Sequence, residues 1–572
     1  MKKNLENLSF NNIITKLPLD KIEYDNNSRI VRGAIYSRVK PTPVKNPTLV
    51  SVSTKALKLI DLNENQIAKK EFAEYFSGNK IMTGSDPLSH CYCGHQFGQF
   101  AGQLGDGRAI TLGVVLNNQS ERWELQLKGA GKTPYSRQAD GRAVLRSSIR
   151  EFLCSEAFDS LGIPTTRAGT IITSETKVTR DPLYDGRTKE EPCTIVLRMA
   201  PSFIRFGSFE ITKSTGPSPG MHHLLNNLLD YLLKYYYTDI DKQFSDKESK
   251  YRGLFREVVR RTAIMVAEWQ CVGFCHGVLN TDNMSILGLT MDFGPFGFME
   301  RFDPKFVCNH SDTNGLYSYE NQPNVCYWNL TKLAEALEPV LSQLKAECEA
   351  FWPIFYSHCS NIMHRKLGLV VSDRVDDTEL FQDLFKTMHR TGADFTNTFR
   401  TLSLVNPLTN EHDSLYALLN HCDNATNTAN NEVTINNSLN ALLNRGKPEP
   451  APTISSVNNK EKNCVIWNKW LDKYRQRLQY DMSIINSKPD SKINEWLELR
   501  INTMNTTNPK YVLRNWMAQK SIDAAELHDY TEVNKQLKLL QDPYGLHDND
   551  PDNLKYILPS QSTSKLQVSC SS

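Results

Sequence analysis

The sequence predicts an α+β chain of two lobes with N-terminal and C-terminal helical extensions, and three observations carry that expectation. Strand-like segments crowd between residues 86 and 200, helical periodicity dominates from 221 onward, and no run of about twenty apolar residues interrupts either. The 572 residues suffice for two to four ordinary domains, or for one catalytic core with large extensions. We divide them into an N-terminal extension (1–85), a strand-rich lobe (86–200), a helical lobe (201–420), an Asn/Pro-rich insertion (421–463) and a C-terminal helical extension with a terminal tail (464–572). A formal net charge of +2, with 23% charged residues, gives no global field suited to nucleic acid or an anionic membrane.

Residues 1–85 mix short apolar segments with Asn, Pro and Lys, and Pro41-Thr-Pro43 marks a bend. Lys2 and Lys3 are followed by Glu6, and the first arginine is Arg29, a poor match to a transit or secretory peptide. From Gly94 the glycines crowd together, with Gly98, Gly102, Gly105 and Gly107 before the strand-like Ile110-Thr-Leu112 and Val114-Val-Leu116. Such a cluster is more often a tight turn than a phosphate cradle. Here Asp106-Gly-Arg108 favours a hairpin over a nucleotide, because glycine lets the backbone approach phosphate and Arg108 adds a charged fork. Thirteen cysteines without regular spacing read as reduced thiols. Cys91-Tyr-Cys93-Gly-His95 has no second half of a metal site and reads as local packing.

Trp123-Glu-Leu-Gln-Leu-Lys128 alternates as a strand, with Trp123, Leu125 and Leu127 on one face. A lone strand lysine usually faces solvent. The segment 142–161 argues otherwise for Lys128: Leu145, Ile149, Phe152 and Leu153 recur at helical spacing, and Glu151 on that helix is placed to pair with the lysine. Strands over 169–173 and 193–198 follow. Arg198 and Arg205 then stand in an apolar, aromatic setting where an unpaired guanidinium is costly, so a phosphate or an internal carboxylate must satisfy them. Helices are expected over 221–237 and 251–273, with helical patterns resuming over 328–356 and 376–395. Nine Asn from Asn420 to Asn444, then Arg445-Gly-Lys-Pro-Glu-Pro-Ala-Pro452, mark the variable insertion. Amphipathic helices are expected over 467–480 and 493–504, with another starting near Tyr511.

The stretch 274–294 carries the chemistry. Its His276-Gly277 and Asn283, followed by Asp292-Phe-Gly294, resemble the catalytic loop and metal-binding Asp-Phe-Gly of a protein kinase, so the two lobes are expected to form a bilobal protein-kinase-like fold. The place of the kinase catalytic aspartate is taken by Val278, which cannot accept a proton. Asn283 and Asp292 still offer hard oxygens to a magnesium ion carrying ATP. Asp282, adjacent to Asn283, is left either to accept the proton or to help hold the metal. Cys308 falls in the place of an activation segment, close to this loop.

Three long motifs sharpen the resemblance: Tyr92-Cys-Gly-His-Gln-Phe-Gly-Gln-Phe-Ala-Gly-Gln-Leu-Gly-Asp-Gly-Arg108, Leu125-Gln-Leu-Lys-Gly-Ala-Gly-Lys-Thr-Pro-Tyr-Ser-Arg137 and His276-Gly-Val-Leu-Asn-Thr-Asp-Asn-Met-Ser285. With Asn508-Pro-Lys-Tyr-Val-Leu-Arg-Asn515, the chain resembles the selenoprotein O family of kinase-like protein adenylyltransferases. The resemblance implies ATP contacts from Gly105, Gly107, Arg108, Lys128, Asp140, Gly141 and Asp292, with Arg198 and Arg205 gripping the terminal phosphates. It implies Glu151 as the partner of Lys128, Asn283 and Asp292 as ligands of Mg²⁺ (Mn²⁺ as the alternative), and Asp282 as the base. In that family ATP lies flipped relative to kinases, so AMP is transferred to Ser, Thr or Tyr hydroxyls of protein substrates and pyrophosphate leaves. The resemblance also implies a redox pair of Cys308 with Cys570 near the C-terminus, redox-related partners, and a mitochondrial location with the cytoplasm as alternative. The charge balance and the lack of a long apolar run argue for no nucleic-acid partner and no membrane span, and nothing sets an oligomeric state. Two other readings stand beside it. A kinase transferring the γ-phosphoryl group is disfavoured by Val278, and a non-catalytic nucleotide-binding scaffold would be expected to lack Asn283 and Asp292.

Overall fold

The computed structural model describes residues 2–371, 374, 376–409, 413–422, 459–486, 492–547, 550–559 and 568–569. Most of the expected insertion, 423–458, and Cys570 lie outside the described residues. Among the described residues, twelve strands occur in chain order: β1 (Tyr36–Arg38), β2 (Thr48–Val52), β3 (Leu88–His90), β4 (Cys93–Gln96), β5 (Gln99–Gln103), β6 (Ala109–Leu116), β7 (Arg122–Lys128), β8 (Ala143–Val144), β9 (Arg167–Arg180), β10 (Lys189–Ala200), β11 (Phe274–Cys275) and β12 (Gly297–Phe298). Eight of them form one antiparallel sheet in the order β1-β3-β6-β7-β10-β9-β2, with β8 paired to β10. Residues 1–85 thus supply both edge strands.

The period of two along β7 decides what each face of the sheet does. Trp123, Leu125 and Leu127 point outward into a core shared with Ile110, Leu112, Ile195, Leu197 and Met199, covered by α1 (Thr54–Lys58) and α2 (Lys70–Phe76). Each such buried aliphatic or aromatic side chain contributes about 1.5–3 kcal/mol. Glu124, Gln126 and Lys128 therefore point inward. Arg198 lies opposite Gln126 in the β7–β10 register, which brings the guanidinium to the same face.

Behind that face lies α3 (Leu145–Ser160), where Leu145, Ile149, Phe152 and Leu153 are buried at the expected spacing. Arg150, Glu151 and Glu156 are buried as well, because the helix is covered on both sides. Helices Asn515–Glu526 and Thr531–Leu540 pack on its back. Arg150 ties it to the segment after Asp292, donating to the carbonyls of Gly294 (3.3 Å) and Phe296 (2.6 Å) and to Asn515 Oδ1 (3.2 Å). The same C-terminal helices reach β2 and α1: Ser51 donates to Asn534 Oδ1 at 2.9 Å and Gln541 Nε2 to Ser53 Oγ at 3.1 Å.

The helical part begins with α4 (His223–Tyr235), α5 (Thr238–Gln243) and α6 (Lys247–Val272). Asp246 caps α6 by accepting from the Ser249 amide at 2.8 Å, and Gly273, at φ 74°, ends it in the left-handed conformation that favours glycine. This stop delivers the chain into β11, which pairs with β12 and holds the loop between them closed at its base. The helical pattern expected over 328–356 is broken into Gln322–Leu337, Lys345–Glu349 and Phe351–Leu367. Pro339 supplies the reason, since the residue before a proline is disfavoured in a helix. Among the described residues no helix is long and apolar enough to cross a membrane.

Candidate active site

Three cations converge on one carboxylate. Lys128 Nζ lies 2.8 Å from Glu151 and 3.0 Å from Asp292 Oδ1; Arg198 lies 3.2 Å from Glu151 and 2.5 Å from Asp292 Oδ1; Arg205 pairs with Asp292 Oδ2. Burial alone would raise the pKa of Asp292, but Arg205, Lys128 and Arg198 outweigh it and hold the carboxyl well below its ordinary range. Asp292 sits at φ 58°, an unusual conformation for a non-glycine residue. His276 steadies it: the ring Nε2 is 2.9 Å from the carbonyl of Met291, one residue earlier. Burial lowers the His276 pKa, favouring the neutral ring that donates this bond.

The two arginines are fixed from behind. Gln126 accepts from Arg198 through Oε1 and donates to Asp106 Oδ2 at 3.0 Å, while Arg205 lies 3.7 Å from Asp106 and 4.8 Å above the ring of Tyr92. Both guanidiniums are almost fully buried and paired with carboxylates within the protein, although Arg205 Nε has no hydrogen-bond partner among the described residues. Arg205 Nη1 also donates to the backbone carbonyl of Asp282 at 2.7 Å, which makes the 280–283 loop and Asp292 neighbours. Asn283 lies on that loop and spends its Nδ2 on the carbonyl of Val278 at 2.9 Å, so its oxygen is the atom on offer. Among the described residues no group of three or more His, Cys, Asp and Glu side chains is arranged to hold a metal. One amide oxygen and one carboxylate match a Mg²⁺ whose remaining ligands are waters and phosphates.

Asp282 lies under the β4–β5 hairpin, which holds Gly94, Gly98 and Gly102 of the glycine-rich stretch, whereas Gly105 and Gly107 fall in the turn between β5 and β6. Its first strand rests on the 280–283 loop: the His95 amide donates to Thr281 Oγ1 at 2.7 Å and Gln96 Nε2 to Asp282 Oδ2 at 3.2 Å. A Cβ at Gly94 would come within 2.9 Å of Asp282 Cβ and Cγ and closer still to Oδ1. Thr281 in turn donates to the buried Glu210 at 2.6 Å. Burial pushes the Asp282 pKa up to about 7, against the pull of Arg205 and the Gln96 donor, and its Oδ1 has no hydrogen-bond partner among the described residues. A buried carboxylate with one free oxygen and a pKa near neutrality has the properties of a general base. Val278, at the kinase position, is buried and apolar.

Gly105 and Gly107 pack on Tyr135: a Cβ would come within 2.5 Å of its ring at 105 and within 2.8 Å of its carbonyl at 107. Arg108 carries the next turn into β6, and burial lowers its pKa while the charges of Glu151 and Asp292 oppose that. Asp140 is held by Arg180 through two bonds of 2.7 and 2.8 Å, and Gly141, at φ 73°, lies against the Gly131 backbone. Sequence reading gave no role to Gln96, Gln126 or Arg180, and named Gly94 and Asp106 only as part of the glycine-rich stretch. All but Arg180 lie in or beside the quoted motifs, the only signal available. Cys91 and Cys93 are buried free thiols, and His95 Nδ1 is 2.6 Å from Glu210. Cys308 is a buried free thiol whose Sγ donates to the Cys275 carbonyl at 3.3 Å, and burial raises its pKa. Its expected partner Cys570 lies outside the described residues, but the two residues before it are described: Val568 accepts from the His310 amide at 2.9 Å and Ser569 donates to the carbonyl of Pro182.

Glu124 shares the inward face without joining the charge cluster. Its Oε2 accepts from the Phe203 amide at 3.1 Å, and burial raises its pKa from 4.5 to about 8. Because the folded-state pKa is the higher one, the stability this group contributes is fully present below pH 4.5 and is lost as pH rises through about 8. Glu124→Gln keeps the shape without the charge. It is expected to flatten the fall in melting temperature between about pH 5 and about pH 9, with an alkaline gain on the order of a few kcal/mol. Parallel melting curves for variant and wild type would refute this.

The comparisons agree on one family. A model of the protein adenylyltransferase SelO family matches residues 18–541. Human "Protein adenylyltransferase SelO, mitochondrial" is 48% identical, with 90% of this chain and 83% of the human protein covered. The Danio rerio protein "Protein adenylyltransferase SelO-1, mitochondrial" is 45% identical over 96% of this chain and 86% of its own length. An Azoarcus "Protein nucleotidyltransferase YdiU" is 40% identical over 98% of both chains.

Proposed function

The chain belongs to the SelO family of protein adenylyltransferases, and from that premise we propose that it transfers AMP from ATP to Ser, Thr or Tyr hydroxyls of protein substrates. The observation that carries this reading is the pair of buried arginines, Arg198 and Arg205, converging with Lys128 on Asp292. We read their carboxylate partners as exchangeable for phosphate: a β,γ-pyrophosphate would take over the guanidiniums and leave Asp292 to a metal. In a kinase-like arrangement, Lys128 held by Glu151 aims at the phosphates, and two further arginines suit a leaving group larger than one phosphoryl unit. Gly105, Gly107, Arg108, Asp140 and Gly141 complete the proposed nucleotide contacts.

In the proposed step, Asp282 takes the proton of the acceptor hydroxyl as its oxygen bonds to the α-phosphorus. The bond from that phosphorus to the bridging oxygen breaks, and pyrophosphate departs held by Lys128, Arg198 and Arg205. Asn283 and Asp292 would hold Mg²⁺, which when bound neutralises phosphate charge. Val278 supports this over γ-phosphoryl transfer, since it leaves the usual kinase base position without an acceptor. We also propose the mitochondrial location named for the vertebrate relatives, and redox control through Cys308 and Cys570. The contact of Val568 with His310 supports the latter by bringing the tail to the segment that carries Cys308.

One assay tests the transfer and the redox proposals. With ATP labelled at the α- or the γ-phosphate, protein-bound label is expected from the α position only, and γ label alone would overturn AMP transfer. Repeated with dithiothreitol or hydrogen peroxide, transfer is expected to respond to redox state in the wild type and not in Cys570→Ser. An equal response in both would remove the tail from the control.

A further inference from the structure

The β4–β5 hairpin carries a residue that its turn does not explain. Gln96 pairs with Gln99, so Phe97 and Gly98 form a two-residue loop, and both have positive φ, 48° and 82°. Asn, Asp or Gly suits the first of these positions, whereas a phenylalanine there is strained. Burial does not compensate, because Phe97 remains 43% exposed. The tip is nevertheless wired to the catalytic loop. The Phe97 amide donates to Tyr317 Oη at 2.8 Å, and that hydroxyl donates to Asn280 Oδ1 at 2.6 Å. The Phe97 ring lies 5.1 Å from the buried ring of Tyr317, and Gln96 next to it holds Asp282. Residues 93–103 contain no Asp, Glu, Lys or Arg, so the hairpin offers an approaching chain an aromatic surface and glutamine amides but no charge.

We propose that Phe97, backed by Tyr317, seats an apolar side chain of the acceptor protein beside the hydroxyl that is modified, and so determines which acceptors are used. The inference rests on the protein-acceptor reading above and deepens it. The hydroxyl must reach Asp282, and an extended segment passing that carboxylate runs along the hairpin tip. There an exposed ring, on a hairpin that itself carries no charged side chain, favours an apolar side chain over Asp or Lys. The strained backbone is then the consequence of holding a ring where Asn would fit the turn better.

The test uses the full chain with Mg²⁺, α-labelled ATP and Ser-, Thr- or Tyr-centred peptides in which each neighbouring position is fixed in turn as Leu, Phe, Asp or Lys. Wild type is expected to prefer Leu or Phe over Asp and Lys at one position by about tenfold or more. Phe97→Asn, which suits the turn, should lose that preference while keeping the rise in melting temperature on ATP binding, and Phe97→Tyr should retain it. An unbiased wild type, or a Phe97→Asn enzyme that keeps the preference, overturns the inference. Loss of the ATP-induced shift in Phe97→Asn would make the ring a structural clamp and overturn it too. If wild type binds ATP but labels neither peptides nor protein, the transfer reading falls, and this inference with it.

Discussion

Gly94→Ala is expected to slow AMP transfer by about 10²-fold or more while ATP still binds. The added Cβ would press on Asp282 Cβ and Cγ at 2.9 Å and closer on Oδ1, and the buried carboxyl has little room to retreat. Gln96 holds its other oxygen and Thr281 beside it is bonded to both the hairpin and Glu210. A displacement of about 1 Å at a reacting group lowers rates by about 10²-fold, so a loss of that size or larger is expected. Lys128, Arg198 and Arg205 do not touch Gly94, so calorimetric titration should return a near-native ATP affinity. Native activity in Gly94→Ala would mean that Asp282 is not the base or is not fixed by the hairpin.

Asp292→Asn is expected to be the most damaging single substitution in stability and activity together. The carboxylate neutralises Lys128, Arg198 and Arg205, and its side chain is only 16% exposed. Removing one partner of a buried ion cluster leaves uncompensated charge, typically about 3–5 kcal/mol. Glu151 and Asp106 still face the cations, which places the expected loss toward the lower end. Transfer should fall by about 10³-fold or more, since the same substitution removes a proposed metal ligand and disorganises the cations proposed to grip the phosphates. Thermal unfolding and the α-label assay measure the two effects separately. A variant of native activity would exclude Asp292 from the chemistry.

Much of this site was legible because it follows local periodicity. Alternation along 123–128 places Lys128 opposite the Trp123–Leu127 face, and helical spacing over 145–153 places Glu151 on a helix behind it. The 2.8 Å pair joins two segments that periodicity alone brings into view. What stayed hidden depends on contacts between distant segments. Gly94 is one of several glycines in the sequence, and only the approach of Asp282 from 188 positions away shows why a side chain is excluded there. The Arg180–Asp140 pair requires knowing that β9 runs past the loop before α3. Glu124 alternates like any strand residue, and its burial follows from the layer packed beneath the sheet. The interruption near Pro339 was legible in principle, but the helical pattern on either side concealed it.

The way α3 is held has a consequence for timing. In many kinases the glutamate helix swings, and activity follows its position. Here helices 515–526 and 531–540 press on its back, while Arg150 fastens it to Gly294, Phe296 and Asn515. A swing would have to break all of these together, so the helix acts as a fixed post. Its backing is also made last: Glu151 is translated more than 360 residues before Asn515. During synthesis, the part of the chain bearing Lys128 and Glu151 therefore emerges without the helices that brace it, and the Lys128–Glu151 pair becomes rigid only when the C-terminal helices have closed over residues made long before.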